Sequence, residues 1–301
     1  MNSLPPALLV LAIVLAGCAS SPSAPTSSSG APTVVASFLP VYLIVQPVAG
    51  NLTAVRILLP PGAEPHDYEP APNDLKALAN ASILFYDSPG LEPWAISLAQ
   101  AANPGIRLAP LSSAVPLRPA AENGTGATDP HVWLSPARVI NETLYARDQL
   151  IAADPAHAGQ YRANAAAQLA RLRELDGEYR AGLSNCSSRI LITTHAALGY
   201  LADDYNLTQV PIAGISPDEE PSPAALEQVI QIGKAENATV VFTEPGVSPK
   251  LGIAVAGEIH VSTLAFNPLE ILTPEEIANG ADYISLMRSN LGVLRQGLGC
   301  S

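Results

Sequence analysis

The chain has 301 residues, enough for one or two domains with substantial cores. Hydrophobic residues make up 48% and charged residues 14%, with a formal net charge of -12. The only lysines, Lys76, Lys234 and Lys250, form no patch, which excludes a nucleic-acid partner, since phosphate binding needs clustered Lys and Arg.

Residues 1–17 read as an export signal. Ala7–Ala16 is apolar but too short to cross a bilayer, which takes about 20 residues. Leu15-Ala16-Gly17-Cys18 places small residues before a cysteine, the pattern of a lipoprotein signal cleaved before Cys18 with a lipid on its sulfur. No Lys or Arg precedes Arg56, so the usual positive n-region is missing. A plain secretory signal or an uncleaved anchor therefore stays open. Residues 18–32, rich in Ser, Pro and Ala, read as a flexible tether.

Strands and helices then alternate. Thr33–Ser37 predicts a strand, Val41–Gly50 a helix and Val55–Leu59 the next strand. That strand runs into Pro61–Pro70, PGAEPHDYEP. Pro65 fixes its own φ and pushes Glu64 away from helical geometry, so a stiff turn presents His66 between Glu64 and Asp67. Asn73–Ala79 predicts a helix, Ser82–Tyr86 a strand, Pro93–Ala102 a helix and Ile106–Ala109 a strand. Pro116–Thr128 lacks periodicity and reads as a loop. His131 follows, in DPHVWLSP, with Ser135 and Pro136 as the start of a helix to about Ala152. Residues 33–153 form a first α/β lobe on this reading. Pro155–Leu183 repeats apolar residues at helical spacing, and residues 154–184 read as a rigid connecting helix.

Residues 185–301 repeat the plan as a second lobe. Arg189–Thr193 predicts a strand ending in His195, Ala196–Tyr205 a helix and Gln209–Ala213 a strand. Pro223–Glu236 predicts a helix, Thr239–Thr243 a strand before Glu244, Pro249–Glu258 a helix and Val261–Phe266 the last strand. Its exit loop is Asn267-Pro268-Leu269-Glu270, and Gly280–Leu298 is a terminal helix. Short strands separated by helices imply βαβ units, so the fold class is α/β, two lobes with mostly parallel sheets.

With Cys18 carrying lipid, Cys186 and Cys300 remain, and an exported chain would oxidise them to a disulfide. Seven of fourteen asparagines begin Asn-X-Ser/Thr: Asn51, Asn80, Asn123, Asn141, Asn185, Asn206 and Asn237. The excess suggests a glycoprotein with an outward-facing surface.

His66, His131 and His195 sit at loop or helix starts, two of them directly after strands. In open α/β sheets ligand sites form beyond the carboxyl ends of strands, so the three loops can converge. Three imidazoles with an oxygen ligand suit Zn2+. His157 and His260 read as structural.

PGAEPHDYEP, DPHVWLSP, TTHAALGYLADDYNL, GISPDEEPSPAAL and VVFTEPGVSPK together resemble the successive signatures of the zinc- and manganese-binding solute receptors of ABC importers. The resemblance runs from about Thr33 to Leu298. It implies two lobes joined by a long backbone helix, with His66, His131 and His195 as ligands to one metal between them. The manganese receptors usually carry Glu at the third position, so His195 favours zinc over manganese, as imidazole chemistry does. The family's aspartate before Pro-Leu is replaced here by Asn267. Asn267 is the fourth ligand by position, with Glu270, Glu244 or Glu64 as substitutes. The His-rich loop of some zinc receptors is absent from Pro116–Thr128.

The resemblance implies a monomeric, non-enzymatic receptor at the cell surface, outside the cytoplasm. It would be held to the membrane by the lipid and would deliver its ion to an ABC-transporter permease. Two other readings stay open: a zinc-dependent hydrolase or lyase, with three histidines and a water on the metal and Glu64 as base, and a surface adhesin.

Overall fold

The computed structural model describes residues 31–301 apart from 61, 121–126, 273–275 and 277–279. The export signal, Cys18, most of the tether and Asn123 lie outside the described residues.

The first sheet is built from β1 (Val34–Ala36), β2 (Val55–Ile57), β3 (Ile83–Tyr86) and β4 (Arg107–Pro110), and the second from β5 (Ile190–Thr193), β6 (Thr208–Pro211), β7 (Val240–Thr243) and β8 (Ser262–Ala265). All pairings are parallel, in the orders β2-β1-β3-β4 and β6-β5-β7-β8. The two sheets therefore share one topology. In each, the first strand sits between the second and third, so the chain leaves it first to one side and then to the other. Ligand sites form at that reversal, beyond the strands' carboxyl ends. The central strands β1, β3 and β5 are buried along their whole length, as parallel strands covered on both faces must be.

The helices are α1 (Leu39–Ala49), α2 (Pro72–Leu78), α3 (Pro93–Ala102), α4 (Pro136–Ala153), α5 (Ala158–Gly182), α6 (Gly199–Asp204), α7 (Pro223–Ala235), α8 (Lys250–Ile259) and α9 (Tyr283–Leu298). Proline opens α2, α3, α4 and α7, where its missing N–H costs nothing. The 25-residue α5 packs on α1, α4 and α9. Its buried face is Tyr161, Ala165, Leu169, Leu172, Leu175 and Tyr179, spaced by three and four residues. Each fully buried leucine there contributes about 1.5–3 kcal/mol. The Tyr179 hydroxyl donates to Met287 O at 2.7 Å, fixing α9 against α5.

Two helices start later than the sequence suggests. The stretch after His195 turns before α6, because His195 O accepts from Thr193 Oγ1 and Gln209 Nε2 rather than from a helical N–H. The last helix starts at Tyr283 rather than Gly280: Asp282 caps it by accepting from Ser285 N at 2.8 Å, and Gly280 has φ 63°.

Cys186 and Cys300 are bridged, closing 114 residues of chain and tying the end of α9 to the approach to β5. Cys300→Ser is expected to cost about 2–4 kcal/mol and to lower the melting temperature. Equal melting temperatures with and without reductant would show that the bridge adds nothing.

A second stability feature lies on α4. Glu142 on α4 is fully buried and neither carboxyl oxygen has a hydrogen-bond partner among the described residues. Burial pushes its carboxyl up to about 8. A folded-state value raised above the unfolded one, near 4.5, means stability is fully present at low pH and lost as pH rises from 4.5 through 8. Glu142→Gln is expected to flatten this decline, read from urea unfolding at pH 5 and pH 8. Equal slopes for both proteins would contradict the assignment.

Candidate metal centre

His66 is set by the turn after β2. Its own N–H donates to Glu64 Oε1 at 3.2 Å, and Trp94 Nε1 holds Pro65 O at 3.4 Å. His131 stands just before α4, and His195 directly after β5. Glu270 is on the loop after β8. One donor atom from each of His66, His131, His195 and Glu270 lies within 4.8 Å of the others. His131, His195 and Glu270 are buried and His66 is half-buried.

The imidazoles are oriented from behind. Asp129 Oδ1 lies 2.9 Å from His131 Nδ1 and also accepts from His131 N at 3.0 Å. Glu244 Oε2 lies 2.6 Å from His195 Nδ1. Glu244 is itself held by Thr194 Oγ1 and by His195 N. With a carboxylate on each Nδ1, the proton stays there and Nε2 presents a lone pair inward. The two Nε2 atoms are 3.3 Å apart, and Glu270 Oε1 is 3.9 Å from that of His131. His66 Nε2 and Glu270 Oε1 are buried without a hydrogen-bond partner among the described residues. Two orphaned buried acceptors facing two inward lone pairs form a donor set for a cation.

The electrostatics agree. Burial, then the neighbouring His131 and His195, drive the His66 imidazole down to about 2. Burial also lowers His131, against the pull of Asp129. For His195 burial works downward, but Glu244 outweighs it and holds the ring above the ordinary histidine range. Burial pushes the Glu270 carboxyl up to about 8. A carboxylate placed in so dry a pocket is stabilised by a positive ion.

Asn267, favoured by its order along the chain, does something else. Its Oδ1 accepts from Leu269 N at 2.8 Å, its Nδ2 donates to Glu276 Oε1 at 3.0 Å, and its backbone is clamped by Asn290. It shapes the turn, in which Leu269 takes φ 67°, and that turn delivers Glu270 to the cluster. Of the other substitutes, Glu244 is behind His195 and Glu64 braces the His66 turn. His157 contacts Asp154 on the surface, and His260 caps α8 with φ 60°. Asp129 was not legible as a partner, although its place two residues before His131 is a usable signal.

The two halves meet behind the cluster. Trp133 Nε1 donates to Pro268 O at 2.9 Å, and the Tyr283 hydroxyl to Trp133 O at 2.7 Å. The Tyr200 hydroxyl donates to Asp129 O at 2.7 Å.

A family profile described as ZnuA, zinc-uptake complex component A, periplasmic, matches residues 34–297. The zinc-binding lipoprotein AdcA of Streptococcus pneumoniae is 34% identical over 297 residues, 95% of this chain but 58% of AdcA, so the chain spans little more than half of that relative. The crystal structure of the Zn(II)-bound ZnuA-like domain of AdcA superposes with TM-score 0.77 and 36% identity, covering 89% of this chain and 99% of that domain. The high-affinity zinc uptake system protein ZnuA of Bacillus subtilis is 34% identical over 277 residues, 88% of this chain and 87% of that protein. The laminin-binding protein Lmb of Streptococcus agalactiae, described as a bifunctional protein with adhesin and metal transporting activity, superposes with TM-score 0.81 at 31% identity, covering 89% of this chain and 99% of Lmb.

Asp129→Ala frees the His131 ring to rotate, and is expected to weaken divalent-cation binding about 10- to 100-fold with the fold intact. Calorimetric titration with Zn2+ measures this; an unchanged Kd would show that Asp129 does not orient the ring.

Proposed function

The chain belongs to the ZnuA family, and from that premise we propose that it is an extracytoplasmic receptor that captures Zn2+ and delivers it to an ABC-transporter permease. The observation that carries the reading is the four-donor cluster, His66, His131, His195 and Glu270, drawn from both halves of the chain and buried at three of its four donors. On this reading residues 33–153 and 185–301 are the two lobes and residues 154–184 the strut between them. Lipid on Cys18 would keep the receptor at the cell surface, as the lipoprotein name of AdcA supports.

The donor set favours zinc. Three neutral imidazoles and one carboxylate match its tetrahedral preference, whereas manganese prefers more oxygen. Zinc bonds of about 2.05 Å give a tetrahedron edge of about 3.3 Å. The Nε2 atoms of His131 and His195 are already 3.3 Å apart.

The cluster serves carriage better than catalysis. A cavity of about 600 Å³ lies alongside, walled in part by Glu64, Asp218, Glu219, Glu220 and Ile271, but none of the four donors lines it. Glu64 thus faces that cavity and the His66 turn. Because ligands come from both sides, a shift between the sides loosens the ion, and this is how binding and release would be coupled.

The wild type is expected to hold about one zinc per chain, and His195→Ala close to none, by metal analysis and competitive titration. Equal metal content in the two proteins would sink the assignment. Zinc must also displace the proton that Glu270 holds in the metal-free site. Affinity is therefore expected to fall as pH drops below about 8, with proton release measurable by calorimetry in buffers of different ionisation enthalpy. A pH-independent Kd between pH 8 and pH 6 would contradict it.

A further inference from the structure

The Asn-X-Ser/Thr triplets are not absorbed by metal carriage. Seven of fourteen asparagines begin one, although Ser and Thr supply only about 12% of the chain. Six of the seven asparagines are among the described residues, and all six are exposed. Of the five other described asparagines only Asn73 is exposed; Asn103, Asn164 and Asn267 are half-buried and Asn290 is buried.

Five of the six share one place in the fold. Asn51, Asn80, Asn185, Asn206 and Asn237 each stand within five residues of the start of a strand: β2, β3, β5, β6 and β7 respectively. Both sheets are parallel, so within each sheet these loops gather at the strands' N-terminal ends. The donors come from the other ends, His66 after β2, His195 after β5 and Glu270 after β8. These five triplets and the metal donors are thus at opposite ends of the strands.

Backbone geometry does not explain the pattern away. Asn206 and Asn237 have φ 54° and 51° after α6 and α7, a place where asparagine is favoured for its conformation alone. That preference says nothing about a hydroxyl two residues on. Yet Ser82, Ser187, Thr208 and Thr239 are exposed and Thr53 is half-buried. Asn141 differs: it lies within α4, and Thr143 is fully buried.

We propose that the chain is N-glycosylated on its strand-start face, at Asn51, Asn80, Asn185, Asn206 and Asn237. In the transfer each side-chain Nδ2 forms a bond to the anomeric carbon of an oligosaccharide carried on an isoprenoid phosphate or pyrophosphate. The bond from that carbon to the phosphate oxygen breaks, the phosphate leaves with the electron pair, and one amide proton passes to a base on the transferase. Glycans are bulky and solubilising, and at these five positions they stand at the strand ends away from the metal donors.

The proposal requires export but not zinc binding, so it and the receptor reading fail independently. The test is glycopeptide mapping by mass spectrometry of the full chain purified from its native cells. The same chain from a host lacking the transferase supplies the reference masses. Sugar is expected on most of the five asparagines, with the increment at one site lost in Asn80→Gln and in Asn237→Gln. Bare peptides at most of the five would overturn the proposal.

Discussion

The structure depends on two carboxylate–imidazole pairs, His131 with Asp129 and His195 with Glu244. Each carboxylate settles which ring nitrogen carries the proton, and so which one faces inward with a lone pair. Without them the rings would be free to tautomerise and turn, and a cluster of three histidines would be only a polar pocket. The pairs are fixed in turn by their surroundings. Asp129 is reached by Arg118 Nη1 at 3.6 Å and its carbonyl by the Tyr200 hydroxyl, and Glu244 by Thr194 and the backbone of His195.

This arrangement is electrostatically incomplete by itself. Asp129, Glu244 and Glu270 are buried carboxyl groups gathered around the histidine rings. Burying carboxylates is costly unless positive charge is near. On the proposed reading a divalent ion at the centre would supply that charge and satisfy the orphaned atoms of His66 and Glu270. On that reading the ion is part of the site energetically as well as functionally. That same dependence gives a route to release, since whatever parts the donors removes the compensation.

The fold keeps the parting small. One apolar cluster includes Val34 of β1, Tyr161 and Leu172 of α5, and Met287 and Leu298 of α9, so the core runs from the first sheet's side to the second's. Trp133 sits where the two sides meet, packing edge-on against Phe38 with ring centroids 5.3 Å apart while its Nε1 holds the loop that carries Glu270. Such close packing transmits strain and resists large hinge motion.

The sequence by itself determined the α/β class, the alternation of elements, the three histidines and the cysteine pair. Those features are local: periodicity, proline and the position of a residue after a strand can be read without knowing what lies across the molecule. Only the tertiary structure decided that Glu270 completes the cluster, that Asn267 shapes its turn, and that Glu244 serves His195 from behind. Asn267 and Glu270 are three residues apart on one loop, and sequence order cannot say which of them turns inward. A left-handed Leu269 and the clamp from Asn290 on α9, 23 positions away along the chain, make that choice.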